Sequence, residues 1–389
     1  MRPSVLPQAP LFAPYAGWRT RASMTGTFAL ELDPSAGNPR RVVAGLPLAL
    51  RLALDAQQGG AQCIVLPGDA NAVRETLRDA RLRIPVLDRV PDGVRVLRVP
   101  ANFVVHRGLF KSIVERDARA PESPRTRDLS RETFTHDAPY SFEPIAVVDD
   151  RSAREAERRL FHALRKPQDG WTSRYLNRYI SLAISRWLVK TPLRPNQVSV
   201  AILGVGLAGA WFAAQGGYGN LLLGAFLFQA QSVLDGCDGE MSRVTHRGSR
   251  TGEWLDTVGD DLTNYGFFAG AALGLYKATQ NPLYLLAGGV TVVSGVIGSG
   301  LEYRYLIKIG SGDLLKYPLS QGQGTGKLSF LQPLFKRDTF VFLTLCAAAL
   351  SLVGPMLCVF AAGAVGILIA VLRTELRLLR EARGTEAAR

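Results

Sequence analysis

Cysteine and histidine are scarce in this sequence of 389 residues, which contains four of each. The cysteines are scattered and form no C-x-x-C pair, which argues against a zinc ribbon and against a disulfide framework. The histidines share no metal-ligand spacing. The residues up to Arg21 lack the continuous apolar segment of a secretory signal, so we predict no cleavable leader.

The residues that are abundant divide the chain into two halves of different character. Apolar residues make up 47% of the sequence, charged residues make up 20%, and the formal net charge is +13. These proportions exclude a disordered chain and a collagen. Residues 1–197 are polar and rich in arginine, whereas long apolar runs dominate from Val198 onward. The positive charge indicates either a nucleic-acid partner or the cytoplasmic side of a membrane.

Six apolar segments in the second half have the character of membrane-spanning helices, which need about 20 apolar residues each. The predicted spans are Val198–Gln215, Gly219–Leu234, Leu262–Tyr276, Leu283–Leu301, Thr339–Leu352 and Met356–Leu372. The second, third and fifth are short, so they must extend through flanking polar residues to cross a bilayer.

The loops between these segments differ strongly in charge. If the chain enters the membrane from the cytoplasm, the loops after spans two and four and the C-terminal tail are cytoplasmic. These parts contain a large set of basic residues: Arg243, Arg247, Arg250, Arg304, Lys308, Lys316, Lys327, Lys336, Arg337, Arg373, Arg377, Arg380, Arg383 and Arg389. The opposite loops contain a single basic residue, Lys277. This asymmetry predicts that both termini are cytoplasmic, and it explains the positive charge without a nucleic-acid partner.

Short β-like segments alternate with amphipathic helical segments in the first half. Cys63–Leu66 and Val94–Val99 have strand character, while Leu46–Ala56 and Asn71–Ala80 have helical periodicity. This alternation predicts an α/β (Rossmann-like) fold with a parallel sheet, followed by an all-α six-helix membrane domain. The predicted domains are a cytosolic α/β domain (1–150), a linker with a juxtamembrane helix (151–197), a six-span membrane domain (198–374) and a basic cytoplasmic tail (375–389).

The segment Trp171–Lys190 directly precedes the first span and has helical periodicity. Three arginines, Arg174, Arg178 and Arg186, lie among its apolar residues. A basic amphipathic helix in this position is suited to the lipid headgroup layer. An ordinary surface helix is the alternative.

Four aspartates lie where the second and third spans meet the cytoplasm. Asp235 and Asp238 are three residues apart, and Asp256 and Asp260 are four residues apart, so each pair shares a helix face. Because a short loop joins the two helices, we expect the carboxylates to form one cluster, which cannot stay fully ionised without a cation. Oxygen ligands of this kind favour Mg²⁺ or Mn²⁺ over zinc. A solvated acidic rim is the alternative interpretation.

Three neighbours of the aspartates suit a phosphate-containing ligand. The guanidinium of Arg243 can hold a phosphate, and Gly239 and Gly252 allow a ligand to approach the backbone.

The spacing of these residues resembles the motif D-x2-D-G-x2-A-R-x8-G-x3-D-x3-D of the CDP-alcohol phosphotransferase family. The one departure is Ser242, where the family has alanine. The segment Pro195–Ser199 resembles a P-N-x-[IVL]-[ST] element that precedes the first span in this family. Lys166–Arg174 resembles an element of a subgroup with an N-terminal nucleotidyltransferase-like domain, as in fusions of inositol-phosphate cytidylyltransferase with di-inositol-phosphate-phosphate synthase.

This resemblance implies a reaction in which a CDP-linked alcohol donates its phosphoryl-alcohol group to an acceptor hydroxyl and CMP leaves. It implies that Asp235, Asp238 and Asp256 bind metal ions, two Mg²⁺ or Mn²⁺. It also implies that Asp260 completes the metal site and acts as general base, and that the spans form a homodimer in the lipid bilayer. The residues implied to bind the CDP moiety are Asp235, Gly239, Arg243 and Gly252.

The substrates stay open at this point. Arg304, Lys336 and Arg337 are candidates for binding a phosphorylated acceptor, with ordinary positive-inside charge as the alternative. The fused soluble domain favours a CDP-polyol donor such as CDP-inositol, with a polyol phosphate or a lipid hydroxyl as acceptor. The alternative donor is CDP-diacylglycerol, with inositol phosphate or glycerol phosphate as acceptor. A cation transporter and an inactive membrane anchor are distant alternatives.

The N-terminal domain resembles sugar-phosphate nucleotidyltransferases in the segment Ala44–Leu48. An active enzyme of that kind needs a glycine-rich loop that cradles a triphosphate. The corresponding segment, Ala29–Arg41, contains a single glycine, and no acidic pair for Mg²⁺ is evident. We therefore predict a degenerate domain with a scaffolding or docking role, with an active cytidylyltransferase as the alternative.

Overall fold

The computed structural model describes residues 28–35, 37–68, 70–119, 125–130, 143–165, 170–321 and 336–387. The chain divides into two compact units. The first contains the described residues as far as Ser152, except for Val42–Leu46, and the second contains Val42–Leu46 and the described residues from Ala153 onward.

The strands and the first three helices belong to the N-terminal part of the chain. The strands are β1 (Phe28–Asp33), β2 (Val42–Val43), β3 (Leu46–Pro47), β4 (Ala61–Val65), β5 (Val86–Leu87), β6 (Arg95–Pro100), β7 (Phe103–Val104), β8 (Thr126–Asp128) and β9 (Ile145–Ala146). The helices are α1 (Leu48–Gly59), α2 (Asn71–Thr76) and α3 (Arg107–Arg119).

A parallel sheet forms the centre of the first unit, with the strand order β5-β4-β1-β6-β8. Leu30 of β1, Leu52 of α1 and Phe110 of α3 belong to the same buried core. The predicted parallel α/β arrangement is therefore confirmed. The central strand was not predicted, since Phe28–Asp33 lies in the segment that was compared with a nucleotide-binding loop.

Helices form the second half of the chain. They are α4 (Asp150–His162), a π-helical turn (Ser173–Asn177) that leads into α5 (Arg178–Leu188), α6 (Pro195–Gln215), α7 (Tyr218–Leu234), α8 (Gly236–Val244), α9 (Arg250–Thr279), α10 (Pro282–Ile309), a 3₁₀ turn (Leu314–Lys316), α11 (Pro318–Gln321), α12 (Arg337–Ala349) and α13 (Val353–Ala387).

Three helices are long and apolar enough to cross a membrane: α6, α10 and the part of α13 from Val353 to Glu381. The other predicted spans coincide with α7, α9 and α12, and their crossing stays a prediction. Span five is shorter than predicted, because α12 ends at Ala349 and Ser351 has a φ of 59°. A left-handed backbone at this position ends the helix.

Close packing of α6, α7 and α9 fixes the ends of these helices relative to one another. A Cβ on Gly206 of α6 would overlap the side chain of Thr263 of α9, so glycine allows this close approach. Phe228 of α7 and Phe267 of α9 stack with ring centroids 4.5 Å apart. The acidic residues at the ends of α7 and α9 are therefore held side by side.

The predicted amphipathic helix before span one is present, and its two sides differ in exposure. Trp171 and Trp187 are 72% and 65% exposed, whereas Ser181 and Ser185 are buried against α8. Its location in the headgroup layer stays a prediction. Within the related sequence element, residues 166–169 lie outside the described residues.

Candidate active site

Three carboxylates from two consecutive helical segments converge at one point. Asp235 joins α7 to α8, and Asp256 and Asp260 lie one turn apart near the start of α9. Each of the three offers one oxygen atom, and these oxygens lie within 4.8 Å of one another. We call these three residues the carboxylate cluster. A set of close oxygen donors fits a hard divalent cation, because like charges at this distance repel without one.

The fourth predicted acid, Asp238, lies beside this cluster among the described residues. Its carboxylate accepts hydrogen bonds from the Ser199 hydroxyl of α6 and from the Gly239 amide, and its side chain is only slightly exposed. Burial, followed by the charge of Asp235, raises the pKa of Asp238 to about 6. Of the four acids that were predicted to form one cluster, three have oxygens within 4.8 Å of one another. The fourth, Asp238, lines the same small pocket beside them.

A cavity of about 470 Å³ opens next to these acids. Its walls include six of the predicted residues: Asp238, Gly239, Arg243, Gly252, Asp256 and Asp260. The seventh, Asp235, lines a small neighbouring pocket together with Asp238, Asp256 and Asp260. The motif residues therefore surround one connected region of the membrane domain.

The glycines of the motif lie where a side chain would crowd polar groups of the cavity. A Cβ on Gly252 would lie 3.0 Å from Asn196 Oδ1, and a Cβ on Gly239 would lie 3.2 Å from a guanidinium nitrogen of Arg243. The amide of Gly252 donates to the Ser249 hydroxyl at 3.0 Å, which caps the start of α9. Both glycines thus keep space at the cavity wall.

The predicted acceptor residues have different surroundings. Arg304 forms an ion pair of 2.6 Å with Glu375 of α13 and is not among the residues that line the cavity in the described part of the chain. Lys336, which precedes α12, is also absent from the described lining of the cavity. Arg337, the first residue of α12, instead reaches the carboxylate cluster and contacts Asp260 at 2.8 Å.

Several cavity residues were not predicted as site residues. They are Asn196, Ser199, Arg247, Ser249 and the turn Gly312–Leu315. Asn196 and Ser199 belong to the Pro195–Ser199 element, so the sequence carried a signal for them but no assigned role. The turn after α10 had no such signal, because tertiary hydrogen bonds hold it at the cavity. Thr257 Oγ1 donates to the Gly312 carbonyl oxygen at 2.7 Å, and the Gly312 amide donates to Glu253 Oε2 at 3.3 Å.

With this geometry established, residues 193–372 match the CDP-alcohol phosphatidyltransferase family. The matched segment contains all the motif residues from Asp235 to Asp260. The resemblance inferred from the motif is therefore confirmed for this part of the chain.

Curated relatives with two joined activities are similar to the chain over part of its length. The bifunctional IPC transferase and DIPP synthase of Archaeoglobus fulgidus is 30% identical over 218 residues, which cover 52% of this chain and 43% of the relative. The protein of the same name from Rubrobacter xylanophilus is 41% identical over 128 residues, covering 32% of this chain and 28% of the relative. The chain thus spans less than half the length of these relatives.

A solved structure also shows some similarity. The crystal structure of Mycobacterium tuberculosis phosphatidylinositol phosphate synthase with CDP-DAG bound has a TM-score of 0.40 and 20% sequence identity. The similarity covers 50% of this chain and 93% of that chain.

Proposed function

We propose that this protein is a membrane-embedded transferase that moves a phosphoryl-alcohol group from a CDP-alcohol to an acceptor hydroxyl and releases CMP. The observation that carries the proposal is the carboxylate cluster, whose oxygens lie within 4.8 Å of one another beside a cavity with Arg243 in its wall. The family match includes these residues, which supports the same reaction class.

The acids supply a site for divalent cations. Asp235, Asp256 and Asp260, with Asp238 beside them, would hold two Mg²⁺ or Mn²⁺ ions. When bound, such ions neutralise the charge of the pyrophosphate and stabilise the leaving CMP.

The residues around the cavity have separate tasks in the donor complex. The guanidinium of Arg243 donates hydrogen bonds to a phosphate of the CDP moiety, since charge-assisted bonds of this kind are strong. Gly239 and Gly252 leave room for that moiety, because a side chain at either position would crowd the cavity wall. Asp235 completes the binding of the CDP moiety.

Asp260 acts as the general base. Its carboxylate takes the proton of the acceptor hydroxyl while the hydroxyl oxygen forms a bond to the phosphorus atom that carries the donor alcohol. The bond from that phosphorus atom to the bridging oxygen breaks, and the electron pair leaves with CMP. The products are a phosphodiester of the two alcohols and CMP.

The donor we propose is a soluble CDP-polyol such as CDP-inositol, with a polyol phosphate or a lipid hydroxyl as acceptor. The support is the fused α/β domain and the names of the curated relatives, which join an IPC transferase to a DIPP synthase. For the acceptor phosphate, Arg337 supplies a cation beside the carboxylate cluster. Arg304 and Lys336 add positive charge on the same side of the membrane, outside the described lining of the cavity.

We propose a six-span topology with both termini and the active site on the cytoplasmic side. The support is the distribution of basic residues and the presence of a helix at each predicted span. The boundaries 1–150, 151–197, 198–374 and 375–389 and a homodimer of the membrane domain complete this arrangement.

For the N-terminal domain we propose a scaffolding or docking role without catalysis. The carboxylate of Asp33 at the end of β1 accepts hydrogen bonds from the amide and hydroxyl of Ser35. A carboxylate engaged in this way supports a structural role. Release of pyrophosphate from CTP and a polyol phosphate by the full chain, retained in the Asp260→Asn variant, would overturn this part of the proposal.

The experiment that tests the transferase proposal is CMP release by the purified protein with Mg²⁺. CDP-inositol and CDP-diacylglycerol are offered in parallel, each with and without inositol phosphate, and Asp260→Asn serves as the blank. We expect release from CDP-inositol. Release from CDP-diacylglycerol alone would instead make the protein a phospholipid synthase, and the absence of CMP with both donors would contradict the proposed donor classes.

A further inference from the structure

Arg337 contributes a positive charge at the centre of the acidic site, although it lies far along the chain from the aspartates. One guanidinium nitrogen, Nη1, lies 2.8 Å from Asp260 Oδ1 and 3.2 Å from Asp235 Oδ2. These are two of the three members of the carboxylate cluster. The third member, Asp256, is exposed at the cavity.

Uncharged partners hold the same guanidinium from two other sides. Nη2 donates to Gln231 Oε1 of α7 at 2.6 Å, and Nε donates to Asn264 Oδ1 of α9 at 3.2 Å. The Arg337 side chain is only 20% exposed. The planar fork of an arginine satisfies such a set of acceptors in fixed geometry, which a lysine cannot do.

The residue that follows Arg337 makes a second long-range contact at the start of α12. The carboxylate of Asp338 accepts a hydrogen bond from the amide of Ser173 at 2.7 Å. Two consecutive residues at the start of α12 therefore contact two different sites, since Arg337 contacts the carboxylate cluster and Asp338 contacts the segment before α5.

Three carboxylates within 4.8 Å of one another repel unless a cation lies among them. The guanidinium of Arg337 is such a cation, and it contacts oxygens of the same carboxylates that a divalent ion would use. We propose that Arg337 is the resident counter-ion of the carboxylate cluster and competes with the metal ion for Asp235 and Asp260. This inference rests on the proposed function, because it requires the cluster to bind a metal ion.

Competition of this kind has a consequence for metal affinity in the absence of substrate. Without the guanidinium, the metal ion has no competitor for the carboxylates of Asp235 and Asp260. The positive charge that repels the ion is also removed. Coulomb interactions at these distances correspond to a change of about tenfold or more in the dissociation constant for a divalent ion. An arginine that does not contact the carboxylates would leave this constant nearly unchanged.

The test is Mn²⁺ binding to the purified full chain, followed by electron paramagnetic resonance without any CDP-alcohol. We expect Arg337→Gln to bind Mn²⁺ about tenfold or more tightly than the unmodified protein. In Arg337→Lys, a single ammonium replaces the two-sided contact, so we expect a smaller gain of about threefold. Arg377→Gln, which removes an exposed arginine paired with Glu381, is the matched control and should leave the Mn²⁺ affinity unchanged.

A thermal melt in EDTA and in Mn²⁺ provides a second readout that also reports folding. In EDTA, we expect Arg337→Gln to have a lower melting temperature than the unmodified protein. Added Mn²⁺ should raise the melting temperature of the variant more than that of the unmodified protein. If Arg337→Gln does not fold, Arg337→Lys carries the test. Equal Mn²⁺ affinity in the Arg337 variants and the unmodified protein would overturn the inference alone, whereas the absence of Mn²⁺ binding in every protein would overturn the proposed metal site.

Discussion

At the scale of single residues, the carboxylate of Asp260 combines two tasks in the proposed reaction, since it belongs to the carboxylate cluster and accepts the proton of the acceptor hydroxyl. The side chain of the next residue, Asp261, points in a different direction. The Asp261 carboxylate accepts a hydrogen bond of 2.6 Å from the Tyr303 hydroxyl and is not a member of the cluster. Two adjacent aspartates on one helix thus provide a matched pair for mutagenesis.

We expect Asp260→Asn to keep CDP binding and to lose CMP release by a factor of about 10² to 10⁴, the range for loss of a general base. Asp261→Asn should retain both properties. CDP binding is measured by calorimetry and CMP release by chromatography. Turnover of Asp260→Asn at the rate of the unmodified protein would exclude Asp260 as the base.

The pKa of Asp238 predicts a pH dependence of metal binding. Because burial and the charge of Asp235 raise this pKa to about 6, the carboxyl group of Asp238 is largely protonated below that pH. The ionised form is the one that attracts a cation, so the Mn²⁺ affinity should fall as the pH decreases through about 6. A titration of Mn²⁺ at pH 5, 6, 7 and 8 measures this, and Asp238→Asn should remove this component of the pH dependence.

The same raised pKa affects folding with a definite sign. A carboxyl group whose folded pKa lies above its unfolded value of 3.8 favours the folded state at low pH, and this contribution is lost as the pH rises from about 4 to about 6. Metal binding would offset that loss above pH 6.

At the scale of secondary-structure elements, the link between α5 and α8 determines how firmly Asp238 is held. Glu240, two residues beyond Asp238 on α8, is fully buried and accepts hydrogen bonds from three residues of the juxtamembrane helix. The donors are Arg178 at 2.7 Å, Ser181 at 2.8 Å and Ser185 at 2.7 Å. The juxtamembrane helix is thereby attached to the helix that carries a predicted metal ligand.

We expect Glu240→Gln to destabilise the membrane domain, because it removes the buried carboxylate charge that lies 2.7 Å from the guanidinium of Arg178. Breaking a buried ion pair from one side costs about 3–5 kcal/mol. The matched control is Glu381→Gln, which removes an exposed partner of Arg377 and should cost about 1 kcal/mol or less. The melting temperatures of the two variants in detergent measure the difference, and equal melting temperatures would contradict a special role for the buried pair.

Some features of the site follow from the local sequence, whereas others depend on how distant helices pack. Spacings of three and four residues bring Asp235 near Asp238 and Asp256 near Asp260 on helix faces, and the stacking of Phe228 on Phe267 aligns their helices. The cluster was therefore predictable from local periodicity and a short loop. The position of Arg337 was not, since it depends on how α12 packs beside α7 and α9. Helix ends were predicted less well than helices, as the early end of α12 illustrates.

At the scale of the whole molecule, the arrangement of basic residues predicts which surfaces face the cytoplasm. Lys277, in the last turn of α9, lies at the opposite end of this helix from Asp256 and Asp260. Arg377, near the end of α13, lies on the same side as the cluster in the proposed topology. These two positions therefore report on opposite sides of the membrane.

We expect Lys277→Cys and Arg377→Cys, each in a background with the four native cysteines replaced, to be labelled by an impermeant maleimide from opposite sides. Arg377→Cys should react in inside-out vesicles and Lys277→Cys in right-side-out vesicles. Labelling of both from the same side would contradict the six-span topology. Labelling after detergent solubilisation controls for the reactivity of each cysteine.

The contact of Arg337 with two carboxylates also bears on how the proposed enzyme behaves during purification and in cells with little available metal. An acidic site with its own internal cation does not depend on an external ion to hold its helices together. Chelation should therefore produce a dormant enzyme that resumes CMP release when Mg²⁺ is restored, and the chain can complete its insertion into the membrane before any metal arrives. Metal supply would then limit the rate of synthesis while the amount of folded protein stays constant.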